Sequence, residues 1–365
     1  MRSQFVPGHF GLTAGFLLLF FLVSCASDAG DATTNSVGPS TATIAYATPQ
    51  ATPRATSSPA ESLPVPADTI VPPPSPTSVQ TSTPSGSTIA TSPATAAPPS
   101  PTLQPTFTPP PPPPPVEGEQ LWLGRPVPPS APSWTDKSYP YGSTRGGSLR
   151  PHTGVEFGVP TGTPVLAVAP GTVLVAGNDS QTAYGPTTDF YGNLVILELD
   201  TTGATPVYAL YGHLSEVSVT VGQRVAMGDV LGLSGATGVA DGPHLHFEVR
   251  VGQNLYSATR NPLLWLTPLP GTGVVAGRIV NTSGELLHEA PVSLIRVDAP
   301  STYASTTSYA LGDPNGDDTM NENFAIDDVA GGFYEAVVDA GNKRFTANVW
   351  VYPNRVNWIE IVVGP

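Results

Sequence analysis

The sequence predicts an all-β fold from about residue 118 onward, preceded by a long N-terminal segment without a packed core. Short runs rich in Val, Leu and aromatic residues recur in the later region, and each is bounded by Gly, Pro, Asp or Asn. Helical spacing of apolar residues is almost absent there; only the stretch NPLLWL, residues 261–266, predicts a turn of helix. The 44 prolines and the charged fraction of 12% indicate that much of the remaining chain packs no core.

Charge and cysteine content narrow the class of protein. The net charge of −14 argues against binding to nucleic acid or to an anionic membrane surface. The chain has one cysteine, so no intrachain disulfide can form. No feature of the sequence indicates an oligomeric state.

The first 25 residues have the features of an export signal. Arg2 precedes the apolar run LTAGFLLLFFLV, residues 12–23, which is too short to span a bilayer comfortably. The run ends in LVSC and resembles a bacterial lipobox, which implies cleavage before Cys25 and lipidation of its thiol. We expect residues 1–25 to be a lipoprotein signal peptide and the mature chain to be membrane-anchored at the cell envelope, outside the cytoplasm. The alternative is an ordinary signal peptide with an incidental cysteine.

Residues 26–117 predict a disordered tether. They consist largely of Ser, Thr, Ala and Pro, with seven consecutive prolines at 109–115. No hydrophobic periodicity is present, and proline removes the backbone donors that a helix or sheet requires. The segment is expected to be partly polyproline II and to hold a domain on the order of 100 Å from an anchor. A low-complexity segment without a spacing role is the alternative.

The stretch GPHLHFEVR, residues 242–250, predicts a strand with two chemically different faces. Side chains alternate along a strand, so His244, His246 and Glu248 share one face, and the intervening apolar side chains face a core. Two imidazoles side by side suit metal binding or proton transfer. A half-exposed strand with incidental histidines is the alternative, but four of the six histidines fall in the region 118–268.

A second motif, HTGVE, supplies a carboxylate. His152 and Glu156 are an even number of residues apart, so they share a face in a strand, and the neighbouring Pro, Gly and Val residues disfavour helix. With His246 they make two imidazoles and one carboxylate, the ligand set of a catalytic zinc site that keeps one position open. His213 and His244 remain free for proton transfer.

These motifs occur in a recognisable order. Residues from about 139 to 267 resemble the lysostaphin/LytM-type zinc peptidoglycan endopeptidases in HTGVE, YGHL and GPHLHFEVR and in the Gly-punctuated runs between them. The resemblance implies a LytM-like antiparallel β domain with a groove, cleaving peptide stems or cross-bridges of peptidoglycan. It makes His152, Glu156 and His246 the Zn²⁺ ligands and His213 and His244 the catalytic pair.

The chain departs from the family at one ligand. The family has Asp where this sequence has Glu156, whose side chain is one methylene longer. We expect metal binding to survive, since Glu is a competent zinc ligand. The alternative is a degenerate member that binds cell wall or activates an amidase. A purely structural surface protein is disfavoured by the ordered motifs, and a lipoyl-type carrier is excluded because no lysine lies between Lys137 and Lys343.

Residues 269–365 predict a second β unit, after a first domain at 118–268. Apolar runs such as GVVAGRIVN and NWIEIVV alternate with turn sequences, as expected for a small sandwich. The unit resembles carboxypeptidase-regulatory-like or prealbumin-like sandwiches, with wall binding or packing as its role. Its stretch DPNGDDTMNENF departs from a calcium loop where Gly and Glu are required, so we interpret it as a solvated acidic loop.

Overall fold

The computed structural model describes residues 108–364. The expected signal peptide, Cys25 and most of the expected tether lie outside this range. As predicted, the described part is all-β: it contains seventeen strands and two short 3-10 turns, at Tyr256–Ala258 and Pro262–Leu264, the second within the predicted turn. The first ten strands are β1 (Val155–Phe157), β2 (Pro164–Leu166), β3 (Gly171–Asn178), β4 (Asn193–Leu199), β5 (Val207–Leu214), β6 (Glu216–Val217), β7 (Arg224–Val225), β8 (Val230–Leu233), β9 (Leu245–Val251) and β10 (Thr259–Arg260). The remaining strands are β11 (Thr272–Asn281), β12 (Pro291–Arg296), β13 (Tyr303–Thr307), β14 (Phe324–Ala330), β15 (Gly332–Ala340), β16 (Lys343–Val351) and β17 (Val356–Val363).

The first ten strands form two antiparallel sheets. The larger has the order β1-β9-β5-β4-β3-β7, with β10 also paired to β9, and the smaller has the order β2-β8-β6. Alternation along β9 places Leu245, Phe247 and Val249 in the hydrophobic core, each fully buried. The predicted strand faces are therefore confirmed, and the opposite face of β9 is free to carry a site.

Strands β11 to β17 form two further sheets with a common core. Their orders are β14-β11-β17 and β13-β12-β15-β16, and every pairing is antiparallel except β11 with β17. Ile279 and Ile361 from the first sheet share a buried cluster with Leu294 and Val338 from the second. Two sheets around one core make a β-sandwich, as the alternating sequence pattern predicts.

The core of the first two sheets continues into the later strands. Val274 of β11 and Ala325 of β14 belong to the same buried cluster as Phe157. Asn315, which follows β13, donates its backbone N–H to the Tyr141 hydroxyl at 2.9 Å, and Ala310 donates to the Gly142 carbonyl at 2.8 Å. The loop that we expected to be solvated thus packs against the chain that leads to β1.

Within that loop the expectation of full solvation was wrong for two acidic side chains. Asp317 is buried, and its Oδ1 accepts the N–H groups of Thr319 and Met320. Glu322 is also buried and accepts the Asp317 N–H at 2.9 Å. Intraloop hydrogen bonds, which composition does not reveal, make this burial possible.

The part of the chain that the structure describes contains no helix long and apolar enough to cross a bilayer.

Candidate metal centre and its groove

Antiparallel pairing of β1 with β9 brings the two predicted motifs together. The register places Glu156 opposite His246, and the loop before β1 brings His152 beside them. His152 Nε2 and His246 Nδ1 each lie 2.9 Å from Glu156 Oε1, and the two nitrogens are 3.4 Å apart. These three side chains form the one cluster among residues 108–364 whose atoms could hold a metal ion.

Each histidine of the site has one ring nitrogen held by an outer acceptor. The acceptor is the Tyr139 carbonyl for His152 Nδ1, the Thr237 carbonyl for His213 Nδ1, the Gly242 carbonyl for His244 Nδ1 and the Glu248 carboxylate for His246 Nε2, at 2.7 to 3.1 Å. A carbonyl or carboxylate oxygen only accepts, so each of these nitrogens carries the hydrogen. The other nitrogen of each neutral ring therefore presents a lone pair.

The second carboxylate oxygen of Glu156, Oε2, has no hydrogen-bond partner among the described residues. This oxygen is buried, and it lies 3.2 Å from His244 Nε2. Lone pairs thus face one another across a buried space, which is unfavourable unless a proton or a cation lies between them. The residues present fit a metal ion on this observation.

His213 reaches the site through a bulge in β5. Tyr211 and Leu214 both belong to the core, so two residues, Gly212 and His213, lie between them where strict alternation allows one. The pairing with β4 shifts by one residue here, and His213 has a φ of +62°. The extra residue keeps His213 on the face of His246, with ring centroids 5.6 Å apart.

Behind the site, Glu248 is held in a buried network to which sequence analysis assigned no role. Its Oε1 accepts from His246 Nε2 at 3.1 Å, from the Tyr191 hydroxyl at 2.6 Å and from Thr153 Oγ1 at 2.9 Å. Its Oε2 pairs with the guanidinium of Arg250 at 2.7 Å, and both side chains are fully buried. The alternation H-x-H-x-E-x-R was the available signal, because it places Glu248 and Arg250 on the histidine face.

The pKa values of the site residues show that positive charge next to Glu156 is favourable. Burial would raise the pKa of Glu156, but His246 and His152 hold it well below its usual range. Burial would lower the pKa of His246, yet Glu156 and Glu248 outweigh burial and raise it to about 10. Burial, with His246 beside it, lowers the pKa of His213 to about 4, so this imidazole is neutral at pH 7. The proton on His246 supplies the positive charge beside Glu156 that a bound metal ion would otherwise supply.

A groove of about 580 Å³ runs over these side chains. All five residues predicted for the site line it: His152, Glu156, His213, His244 and His246. Part of its lining comes from the segment 139–150, which we call the arm, and part from residues 239–243. Cys25 lies outside the described residues.

The segment that contains the site is similar to a known protein family. Residues 150–258 match Peptidase family M23. The matched segment includes all five predicted site residues. This similarity to a peptidase family supports a hydrolase, and two histidines and one glutamate within the matched segment could hold a metal ion.

Similar proteins share this segment. The chain is 39% identical over 103 residues to the peptidoglycan DD-endopeptidase ShyA of Vibrio cholerae, which covers 28% of this chain and 21% of that protein. It is 35% identical over 141 residues to the glycyl-glycine endopeptidase ALE-1 of Staphylococcus capitis, covering 37% and 35%. The chain therefore spans about a fifth to a third of these relatives. The solved catalytic domain of lysostaphin from Staphylococcus simulans is 32% identical, with 36% of this chain and 86% of that chain covered and a TM-score of 0.28.

Proposed function

We propose that this protein is a zinc-dependent endopeptidase that cleaves peptide stems or cross-bridges of peptidoglycan. The observation that carries the proposal is the convergence of His152, Glu156 and His246 at 2.9 to 3.4 Å in the wall of an open groove. The names of the relatives, a peptidoglycan DD-endopeptidase and a glycyl-glycine endopeptidase, support the substrate class.

The donor set favours zinc over the harder divalent cations. Imidazole nitrogens with one carboxylate suit Zn²⁺, whereas Ca²⁺ and Mg²⁺ prefer sites made of oxygen. Bonds of about 2.0 Å in tetrahedral geometry place ligand atoms about 3.3 Å apart, close to the separations present here. His152 Nε2, Glu156 Oε1 and His246 Nδ1 would hold the ion, and the groove gives access to a fourth position.

When bound, zinc supplies Lewis-acid chemistry: it polarises a carbonyl and acidifies a water molecule. Side chains of the protein would accept the proton of the water molecule and stabilise the charge that develops on the substrate. His213 Nε2 is free, because Nδ1 donates to the Thr237 carbonyl at 2.8 Å, so this neutral ring can accept a proton. The His244 ring lies 4.8 Å away, centroid to centroid, and completes a pair of imidazoles at the groove.

The position of the Glu156 carboxylate favours an active enzyme over a degenerate module that binds cell wall or activates an amidase, although the side chain is longer than the Asp of the family. Its Oε1 lies between the two imidazoles at equal distances of 2.9 Å, so the extra methylene does not withdraw the carboxylate from the ligand cluster. A degenerate site would be expected to lack one converging ligand.

We also propose that the protein acts outside the cytoplasm, anchored through a lipid on Cys25. Residues 26–117 would be the tether, 118–268 the peptidase domain and 269–365 an appended sandwich. The support is the lipobox-like LVSC sequence and the location of peptidoglycan itself.

The test is the zinc content of the purified mature chain together with its hydrolysis of purified peptidoglycan. We expect about one zinc per chain, the appearance of new free amino groups in the peptidoglycan, loss of activity with a chelator and recovery with added zinc. A folded, zinc-loaded chain that generates no new amino groups would refute the enzyme and leave the binding module.

A further inference from the structure

We propose that Arg150, at the end of the arm, forms a subsite for a free carboxylate of the substrate. The protein would then prefer peptides that carry such a carboxylate near the cleaved bond over uncharged bridges. This inference rests on the proposed function, because the subsite belongs to the same groove.

The first support is the distribution of ion pairs. Within residues 108–364, seven of the ten arginines have a carboxylate within 4.0 Å: Arg125, Arg224, Arg250, Arg260, Arg278, Arg296 and Arg344. Arg145, Arg150 and Arg355 have none, and the first two line the groove. Unpaired arginines are unexpected in a chain with 28 acidic residues and only 14 Lys and Arg. Two of the three stand beside the candidate metal centre.

The second support is that Arg150 is held in place while its guanidinium stays available. The Tyr139 hydroxyl donates to the Arg150 carbonyl at 2.6 Å, and the Tyr139 ring stacks on His152 with centroids 4.2 Å apart. The Arg150 guanidinium carbon lies 5.7 Å from the centre of the Phe190 ring, which also lines the groove. Among residues 108–364, no acceptor lies within hydrogen-bond distance of the guanidinium N–H groups of Arg150.

Arg145 differs in this respect. Its guanidinium donates to the carbonyl and the hydroxyl of Ser138 and lies 5.0 Å from the centre of the Tyr139 ring. It adds positive charge to the same segment, but its donors are already engaged. Arg150 is therefore the residue that can bind an anion directly.

The chemistry of this subsite selects a carboxylate. A guanidinium presents paired N–H groups that match the two oxygens of a carboxylate, and packing on an aromatic face limits its motion before binding. Peptidoglycan stems carry free carboxylates, whereas a bridge made only of glycine carries none.

The test uses two versions of one synthetic cross-linked stem peptide, with free carboxylates or with carboxamides in their place. The mature, zinc-loaded chain should cleave the acid with a kcat/KM about 5- to 30-fold higher, mainly through KM, as expected for a charge-assisted pair at an accessible site. Arg150→Gln should remove this preference by lowering only the value for the acid, and Arg150→Lys should restore part of it. Arg224→Gln, which breaks an exposed pair away from the groove, is the matched control.

The outcomes separate the two proposals. Equal cleavage of both peptides by the unaltered protein, or an equal loss on both with Arg150→Gln, would overturn the carboxylate subsite and leave the endopeptidase intact. Cleavage of neither peptide would refute the proposed function. Titration calorimetry with the same two peptides then still measures whether Arg150→Gln selectively weakens binding of the acid.

Discussion

Replacement of Glu248 by Gln tests whether the buried network behind His246 tunes the metal site. Glu248 accepts the His246 Nε2 hydrogen, which leaves Nδ1 as the lone pair that faces Glu156. Gln keeps the size and one acceptor oxygen but loses the charge. Loss of such an outer partner of a ligand histidine typically weakens metal binding by 10- to 100-fold, or about 1.4 to 2.7 kcal/mol. The variant should also be less stable, by about 3 to 5 kcal/mol, because the buried Arg250 loses its counter-charge.

The assay measures zinc affinity by competition with a chelator, after urea unfolding has established that the variant is folded. Glu198→Gln, at the exposed position of β4, is the matched control and should change neither quantity appreciably. Tyr191→Phe removes one donor to Glu248 and should have a smaller effect than Glu248→Gln. A folded Glu248→Gln variant that binds zinc within twofold of the unaltered protein would refute the reasoning.

Further predictions address the other groups of the site and one buried acid. His246→Ala should lose zinc, because two ligands seldom hold the ion tightly; retention of a full equivalent by elemental analysis would contradict the ligand assignment. His213→Ala or His244→Ala should keep zinc and lose hydrolysis by about 10²-fold or more, measured as new amino groups formed; zinc loss in either would contradict the division into ligands and catalysts. Glu156→Asp should keep at least comparable hydrolysis while Glu156→Gln weakens zinc binding; an inert native protein activated by Asp would favour the binding module. Burial raises the pKa of Glu322 from 4.5 to about 7. Between pH 4.5 and about pH 7 the folded state therefore binds one more proton than the unfolded state. The free energy of unfolding should fall by about 3 kcal/mol as pH rises through this range. Urea unfolding at pH 5 and pH 8 should show this decrease in the native protein and a smaller one in Glu322→Gln; equal decreases would contradict the assignment to this carboxyl.

The all-β class and the faces of β9 could be predicted because they depend on local alternation. Leu245 and Phe247 are apolar at every second position, and the strand places them in the core while His246 lies on the other face. The spacing of His152 and Glu156 predicted a shared strand face, but only Glu156 lies in β1, and His152 reaches it from the preceding loop. Period-two patterns fix the face of a side chain without knowledge of its partner strand.

The position of His213 could not be predicted in this way. Alternation from Tyr211 would direct His213 into the core, and the bulge that reverses this depends on pairing with β4. The network around Glu248 was missed for a related reason, because Tyr191 and Thr153 reach it from segments distant in sequence. The burial of the loop containing Asp317 could not be predicted either, because composition reveals neither its internal hydrogen bonds nor its contact with Tyr141.

The core shared between the early and the late strands has a consequence for truncation. The arm begins at Tyr139, and its next residues are tied to the C-terminal strands and their loops by the Tyr141 hydrogen bond to Asn315 and the Gly142 bond to Ala310. Removal of everything after residue 268 would therefore expose apolar surface and release the segment that carries Arg150. Residues 118–364 should melt in a single cooperative transition and resist limited proteolysis near residue 268. Strands β11 to β17 would then hold the arm in position and so maintain the shape of the groove.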